Sequence, residues 1–267
     1  KQHWLMKKLF FVLLISLFAL HVNATGVIVL EGHYQGKNLY VQNPFAGSGV
    51  GFCTFEVTIN GEVTTDEVNS SAFEIDFANF QLKVGDPVIV KIKHKDDCKP
   101  KVLNPEVLKP KSTFEIVSMK ISKEGNFDWV TKNETGKLTF IVEQFRWNKW
   151  IKVGEVDGNG TAAENTYDFK ITPHSGENKF RVKQIDYSGK PRYSQASRYI
   201  SPVGEITFSP IKVKDIITFT GETLFEVYDS YANIVKKGYG EEVDVTNLKK
   251  GIYYLNYDNK TETFVKK

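Results

Sequence analysis

The sequence predicts an all-β chain built from three consecutive β-sandwiches. Three observations carry that prediction. Aromatic residues make up 13% of the chain, and Val, Ile and Thr are abundant, a composition that suits half-buried pleated surfaces. Apolar and polar residues alternate in short runs separated by Asn-Gly, Asp-Gly and Ser-Gly pairs. Past an apolar stretch near the N-terminus, no segment sustains a helical period.

That apolar stretch is the first element. Met6-Lys7-Lys8 opens a charged region, Leu9 to Leu20 is almost unbroken in its hydrophobicity, and Val22-Asn23-Ala24 places small residues before a cleavage point. The pattern predicts a secretory signal peptide over 1–24, with 1–5 as an extension upstream of the initiator. It is too short and wrongly flanked for a stable membrane span. Cleavage after Ala24 removes Lys1, Lys7 and Lys8 and no acid, so Lys+Arg falls from 35 to 32 against 32 Asp+Glu. A formally neutral mature chain has no global basic field with which to hold nucleic acid.

Residues 25–110 predict the first sandwich. Its strands read from Val27, from Phe52 to an Asn60-Gly61 turn, from Ala72 to Phe77, and from Pro87 to His94. Gly47-Ser-Gly-Val-Gly lacks the Gly-Lys-Ser/Thr ending of a phosphate loop and reads as a flexible connection. Lys91, Lys93 and Lys95 alternate along one run, which predicts an edge strand guarded by charge. Cys53 and Cys98 are the only cysteines and fall in this one segment of an exported chain, so a disulfide is expected. A metal is not expected: His94 is the sole nearby histidine, and four N or S ligands are lacking. A Pro- and Lys-rich passage, Lys99 to Pro110, closes the segment.

Residues 111–201 predict the second sandwich. Phe140, Val142 and Gln144 share one strand face and Ile141, Glu143 and Phe145 the other; Phe180, Val182 and Gln184 alternate likewise with Arg181, Lys183 and Ile185. Trp129 is the expected core tryptophan, and Tyr187 and Tyr193 flank a Ser-Gly-Lys-Pro turn. Glu155-Val-Asp-Gly-Asn-Gly160 opens like a calcium loop, but its twelfth position is Thr166 where a bidentate Glu is needed, so a hairpin turn is expected instead. Trp147 and Trp150, beside Arg146, Lys149 and Lys152, are a candidate aromatic platform for a glycan; three apart on a strand, they face opposite sides and one packs inward. The segment is similar, in the order and spacing of these motifs, to the fibronectin type III-like module that often precedes a sorting domain in secreted cargo.

Residues 202–267 predict the third sandwich. They contain Phe225-Glu-Val-Tyr-Asp-Ser-Tyr-Ala-Asn-Ile-Val-Lys-Lys237, then Val243 to Tyr254, and end on Lys260-Thr-Glu-Thr-Phe-Val-Lys-Lys267. This resembles the C-terminal sorting domain of type IX secretion cargo. By that resemblance Val227, Tyr228 and Asp229 form a strand motif, and Leu248, Gly251, Ile252 and Tyr253 match Leu-x-x-Gly-Ile-Tyr. Gly251 would supply a turn conformation that a side chain opposes, and Lys266 and Lys267 match the basic end presented to an outer-membrane shuttle protein. Ala232 stands where the family usually has Gly. The resemblance implies as partners the shuttle and the translocon, delivery through the periplasm to the cell surface or the medium, and a last segment, 251–267, that is dispensable for folding of the first two sandwiches.

The mature chain offers three scattered histidines, no Gly-x-Ser-x-Gly and no His-Glu-x-x-His. The expectation is a non-enzymatic binding or structural protein without cofactor or metal, acting in adhesion or with a surface protein complex. The alternative is a carbohydrate-binding accessory protein.

Overall fold

A computed structural model describes residues 25–267, which are all-β apart from two 3-10 turns, Ala78–Phe80 and Pro105–Leu108. The signal peptide expected over 1–24 lies outside the described residues. The described chain forms two compact units. One holds residues 25–32, 36–82 and 87–108; the other holds 33–35, 83–86 and 109–267.

The first unit contains β1 (Thr25–His33), β2 (Leu39–Gln42), β3 (Thr54–Ile59), β4 (Glu62–Val63), β5 (Ala72–Ile75), β6 (Pro87–Lys95) and β7 (Lys101–Val102). They pair as one sheet in the order β1-β6-β3-β4 and a second in the order β5-β2-β7. Every second residue of β2 and β6 is buried: Leu39 and Val41, then Val88, Val90 and Ile92. Asn60 and Gly61 take φ of 51° and 93°, so the β3–β4 hairpin forms where Asn-Gly announced it.

Strand β6 corrects one expectation. It lies between β1 and β3 and is no edge strand. Its lysines alternate because one sheet face is wet; Lys93 pairs with Glu56 of β3 at 2.7 Å. Cys53 and Cys98 are bonded, with their Cα atoms 5.8 Å apart. The link joins the residue before β3 to the loop after β6, so it ties the ends of two hydrogen-bonded strands.

The second unit begins with β8 (Glu115–Ile121), β9 (Asn126–Lys132), β10 (Thr139–Arg146), β11 (Lys149–Asp157), β12 (Asn165–Lys170), β13 (Gly176–Ile185), β14 (Pro191–Tyr193) and β15 (Ser197–Ser201). One sheet runs β11-β10-β13-β14 with β15 also on β13; the other runs β12-β9-β8. Phe127, Trp129, Phe140, Val142, Phe180 and Val182 fill the space between them. The passage from Glu155 to Gly160 is not a hairpin turn: Glu155–Asp157 end β11, β12 belongs to the other sheet, and residues 158–164 cross between them. Its backbone is held by buried Glu134, which accepts from Gly160 N at 2.8 Å.

The same unit continues with β16 (Phe208–Ser209), β17 (Lys212–Val213), β18 (Ile216–Tyr228), β19 (Ile234–Asp244), β20 (Gly251–Tyr257) and β21 (Lys260–Lys266). They form one sheet, β16-β18-β20-β21-β17, with β19 on β18. Six residues of straight strand span about 20 Å, yet the rings of Phe219 and Phe225 lie 5.9 Å apart. Strand β18 therefore folds on itself at the register shift between Thr218 and Thr223, and both halves line one core with Tyr257 and Phe264.

The second and third sandwiches fall in one compact unit and share a polar junction. Asp258, 1% exposed, accepts from Ser175 N at 2.8 Å, from Ser175 Oγ, and from Ile206 N at 3.4 Å. Lys149 Nζ donates to Glu226 Oε2 at 2.6 Å and Tyr228 OH at 2.8 Å. Trp147 Nε1 points to the carbonyl of Tyr257 at 3.4 Å. Arg146 is 1% exposed, and burial pushes its guanidinium down to about 10, with the charge of Asp258 opposing the shift. His174 is buried beside them. Desolvation lowers its imidazole below 6.5, the Nδ1–Ser175 carbonyl bond opposes this, and the Arg146 charge lowers it further.

Three expected outcomes follow from this architecture. Replacing Cys53 and Cys98 by Ser frees a 45-residue loop in the unfolded chain and should cost about 3–4 kcal/mol, read as a lowered denaturation midpoint of the first unit alone. Asp258→Ala leaves buried N–H groups unpaired and should destabilise the second unit by about 2–3 kcal/mol, its two sandwiches losing stability together in calorimetry. His174 is neutral when folded and takes up a proton more readily when unfolded. Stability should therefore be intact above pH 6.5 and fall as pH drops below it. His174→Gln should flatten that slope in denaturant titrations at successive pH values.

Candidate functional site

The sorting-signal residues divide cleanly by what the sheet does with them. Val227 is fully buried and Tyr253 nearly so, both in the sorting-domain core, and Leu248 packs against it. Tyr253 OH donates to the carbonyl of Lys249 at 2.9 Å, fixing the loop before β20. Tyr228 serves the junction: its hydroxyl bonds Glu226 at 2.6 Å and receives Lys149. Burial would raise the Glu226 carboxyl, but Lys149 and Tyr228 outweigh it and hold the group below its usual range.

Asp229 builds the β18–β19 turn. Its Oδ1 accepts from the backbone N of Tyr231 and Asn233, each at 2.9 Å, and its Oδ2 accepts from Asn233 Nδ2 at 3.0 Å. Ala232 sits in that turn at φ 64°, a left-handed conformation that a Cβ opposes by about 1–2 kcal/mol. The turn demands what glycine provides, and this chain tolerates alanine because Asp229 fixes the rest of it.

Gly251 is the opposite case and a correction. It begins β20 without a positive φ, and an added Cβ would meet nothing closer than Tyr253 at 3.9 Å. No turn conformation explains a glycine there. Ile252 beside it is 61% exposed. A second correction concerns the basic end. Lys266 is 8% exposed and points to the core side of β21 with Phe264, so only Lys267 of that pair is presented. Both belong to the sheet: Lys266 lies opposite Gly251 on one side and Val213 on the other, and Lys267 N donates to Val213 O at 2.9 Å.

Deleting 251–267 would therefore remove β20, β21 and Asp258 together, and with them the partner of Ser175. The second sandwich is thus joined to this segment by hydrogen bonds that the sequence did not announce.

The two tryptophans do not form a shared platform. Trp147 and Asn148 are the turn of the β10–β11 hairpin, at φ 51° and 58°, and Trp147 faces Tyr257. Trp150 lies across from Phe145 on the sheet, and its ring is covered by Arg181, whose guanidinium is 4.1 Å away and also stacks on Tyr193 at 4.2 Å. Arg181 is in turn held by Glu143 at 2.7 Å. The hairpin turn gives the two indoles different surroundings: Trp147 faces Tyr257, and Trp150 has one face covered by Arg181.

Ser175, His174 and Asp258 also meet, in an order that does not suit nucleophilic catalysis. Ser175 Oγ donates directly to Asp258, while His174 Nδ1 contacts the Ser175 carbonyl. The hydroxyl meets a carboxylate directly, with no imidazole between them. Among the described residues no cluster of His, Cys, Asp and Glu could hold a metal ion.

Residues 209–267 match the family described as "Secretion system C-terminal sorting domain". No curated protein matches the chain. Among solved structures, a biofilm-associated protein BSP domain aligns over 96% of this chain and 69% of its own at 10% identity and a TM-score of 0.24. The chicken CNTN1 FN1–FN3 domains align over 91% of this chain and 98% of their own at 10% identity and a TM-score of 0.27. A Salmonella alpha-2-macroglobulin mutant aligns over 90% of this chain and 23% of its own at 6% identity and a TM-score of 0.24. Residues 209–267 are thus a secretion C-terminal sorting domain, and the chain that carries them is type IX secretion cargo, exported through the periplasm to the cell surface or the medium.

Proposed function

We propose that the chain is a non-enzymatic binding or structural component of the cell surface or its surroundings, with its partner specificity in residues 25–110. The observation that carries this reading is the division of labour in the fold. Residues 33–35, 83–86 and 109–267 make one unit that ends in the sorting domain, and residues 25–32, 36–82 and 87–108 make a separate, disulfide-linked sandwich. The shuttle protein and translocon of the export route read the second unit, and the first meets the partner. Adhesion, or assembly with an outer-membrane complex, suits a sandwich closed by a disulfide in an oxidising compartment.

The test replaces residues 25–108 by a folded reporter while keeping the leader and 109–267. The expected result is a reporter exported to the surface or medium that no longer binds what the full chain binds there. A reporter trapped in the periplasm would overturn the sorting assignment. A reporter that keeps the binding would move the function to 109–267.

A further inference from the structure

Residues 209–267 contain nine lysines and nine acidic residues, yet five of those lysines gather at one corner of the sheet. Register shows how. Val213 of β17, Lys266 of β21 and Gly251 of β20 form one row across three neighbouring strands. One residue further on, Lys214, Lys267 and Lys250 line up in the same way, with strands about 4.8 Å apart. One residue back lie Lys212, Val265 and Ile252. The middle row turns inward, where Val213 and Lys266 are buried; the flanking rows turn outward, where Lys212, Lys214, Lys250, Lys267 and Ile252 are exposed. Lys249 adjoins them, and Tyr254 continues the same face at 48% exposure.

Among the described residues, none of these five ammonium groups has a carboxylate within 4.0 Å, while Lys149 and Lys260 elsewhere in the unit are both paired. Neighbouring like charges on a sheet repel. Protection of an exposed edge accounts for Lys212 and Lys214, which lie in and just after the edge strand β17. It does not account for Lys250 and Lys267, which continue β20 and β21 in the sheet interior. The fold thus keeps an unneutralised lysine row next to two exposed apolar side chains on the outward face of the sheet.

We propose that this corner, Lys212, Lys214, Lys249, Lys250 and Lys267 with Ile252 and Tyr254, is the surface by which the sorting domain docks on an acidic protein face of the export machinery. The proposal rests on the sorting reading above. Carboxylates on the partner pair with the lysine row, and an apolar hollow takes Ile252 and Tyr254. A protein suits the patch better than a headgroup layer, because the apolar residues lie flush in a sheet and do not protrude on a loop.

The test is charge reversal of Lys212, Lys214, Lys250 and Lys267 to Glu in the full chain, expressed in the cells that export it. Loss of several charge pairs should reduce surface and medium protein by about tenfold or more, with periplasmic accumulation. Replacement of the same four by Gln, which keeps the fold if reversal does not, should give a smaller loss, and Lys236→Glu with Lys237→Glu should leave export unchanged. Normal export of the reversed chain at an unchanged melting temperature overturns the proposal. Removal of 202–267 separates the two claims. If that chain is still exported, the sorting reading itself fails; if it is retained while the reversed chain is exported, only the docking corner fails. Binding of the purified chain to phosphatidylglycerol-containing vesicles, lost on reversal, would assign the corner to a lipid surface and overturn the protein partner.

Discussion

One buried carboxylate connects most of the second unit. Asp258 sits in the β20–β21 turn, its own N–H donating to Thr223 Oγ1 at 2.8 Å where β18 bends. Its oxygens receive Ser175 from the second sandwich and Ile206 from the connecting segment. Three pieces of chain that are distant in sequence are therefore oriented by one side chain. A charge at that depth needs matching, and Arg146 supplies it across the junction without a direct ion pair, through Coulomb attraction in a medium that screens poorly. The cost of burying the guanidinium is what makes the arrangement specific: with the junction apart, neither charge has this counterpart.

The junction also explains strain that looks gratuitous within either sandwich alone. Tryptophan is a poor choice for a left-handed turn position, and Trp147 adopts one at φ 51°. Asn148 beside it tolerates that geometry, tryptophan does not. The compensation comes from the other side: the indole, which also packs with Arg146 and Lys149 of its own hairpin, reaches the Tyr257 carbonyl. The hairpin is shaped for its neighbour.

Local chemistry in the sequence anticipates local structure well. Period-2 alternation placed Phe140, Val142, Phe180 and Val182 in the core, Trp129 at its centre, and the Asn60-Gly61 turn where it occurs. What failed was everything set by pairing order. Lys91, Lys93 and Lys95 look the same on an edge strand or on the wet face of an inner one, and only the insertion of β6 between β1 and β3 decides it. Asp157-Gly-Asn-Gly supports a hairpin or a crossing equally well, since both need backbone freedom. Trp147 and Trp150 follow strand alternation only if no turn intervenes. For the sorting residues, motif position gave the strands but not the burial, so Lys266 and Lys267 read as equivalent when one faces the core and the other the solvent. The lysine corner was invisible for the same reason: its three segments, Lys212 with Lys214, Lys249 with Lys250, and Lys267, lie 17 to 55 residues apart in sequence and meet only through register.

Register also limits how such a signal is read. Lys266 pairs through its backbone on both sides, with β20 and with β17, and β21 as a whole lies inside the sheet. A receptor that required the terminal residues as an extended peptide would first have to pull an inner strand from a core that includes Phe264, Tyr257 and Leu255. Stripping a strand of that kind forfeits several backbone hydrogen bonds and fully buried side chains at once, a large share of a small domain's net stability. Reading the outward rows of the intact sheet forfeits nothing. The side chains that an intact sheet offers to any partner are therefore those that point away from the core, and those are set by the fold. Asp258 also joins the second sandwich to this sheet, so the outward rows belong to a compact unit larger than the sorting domain itself.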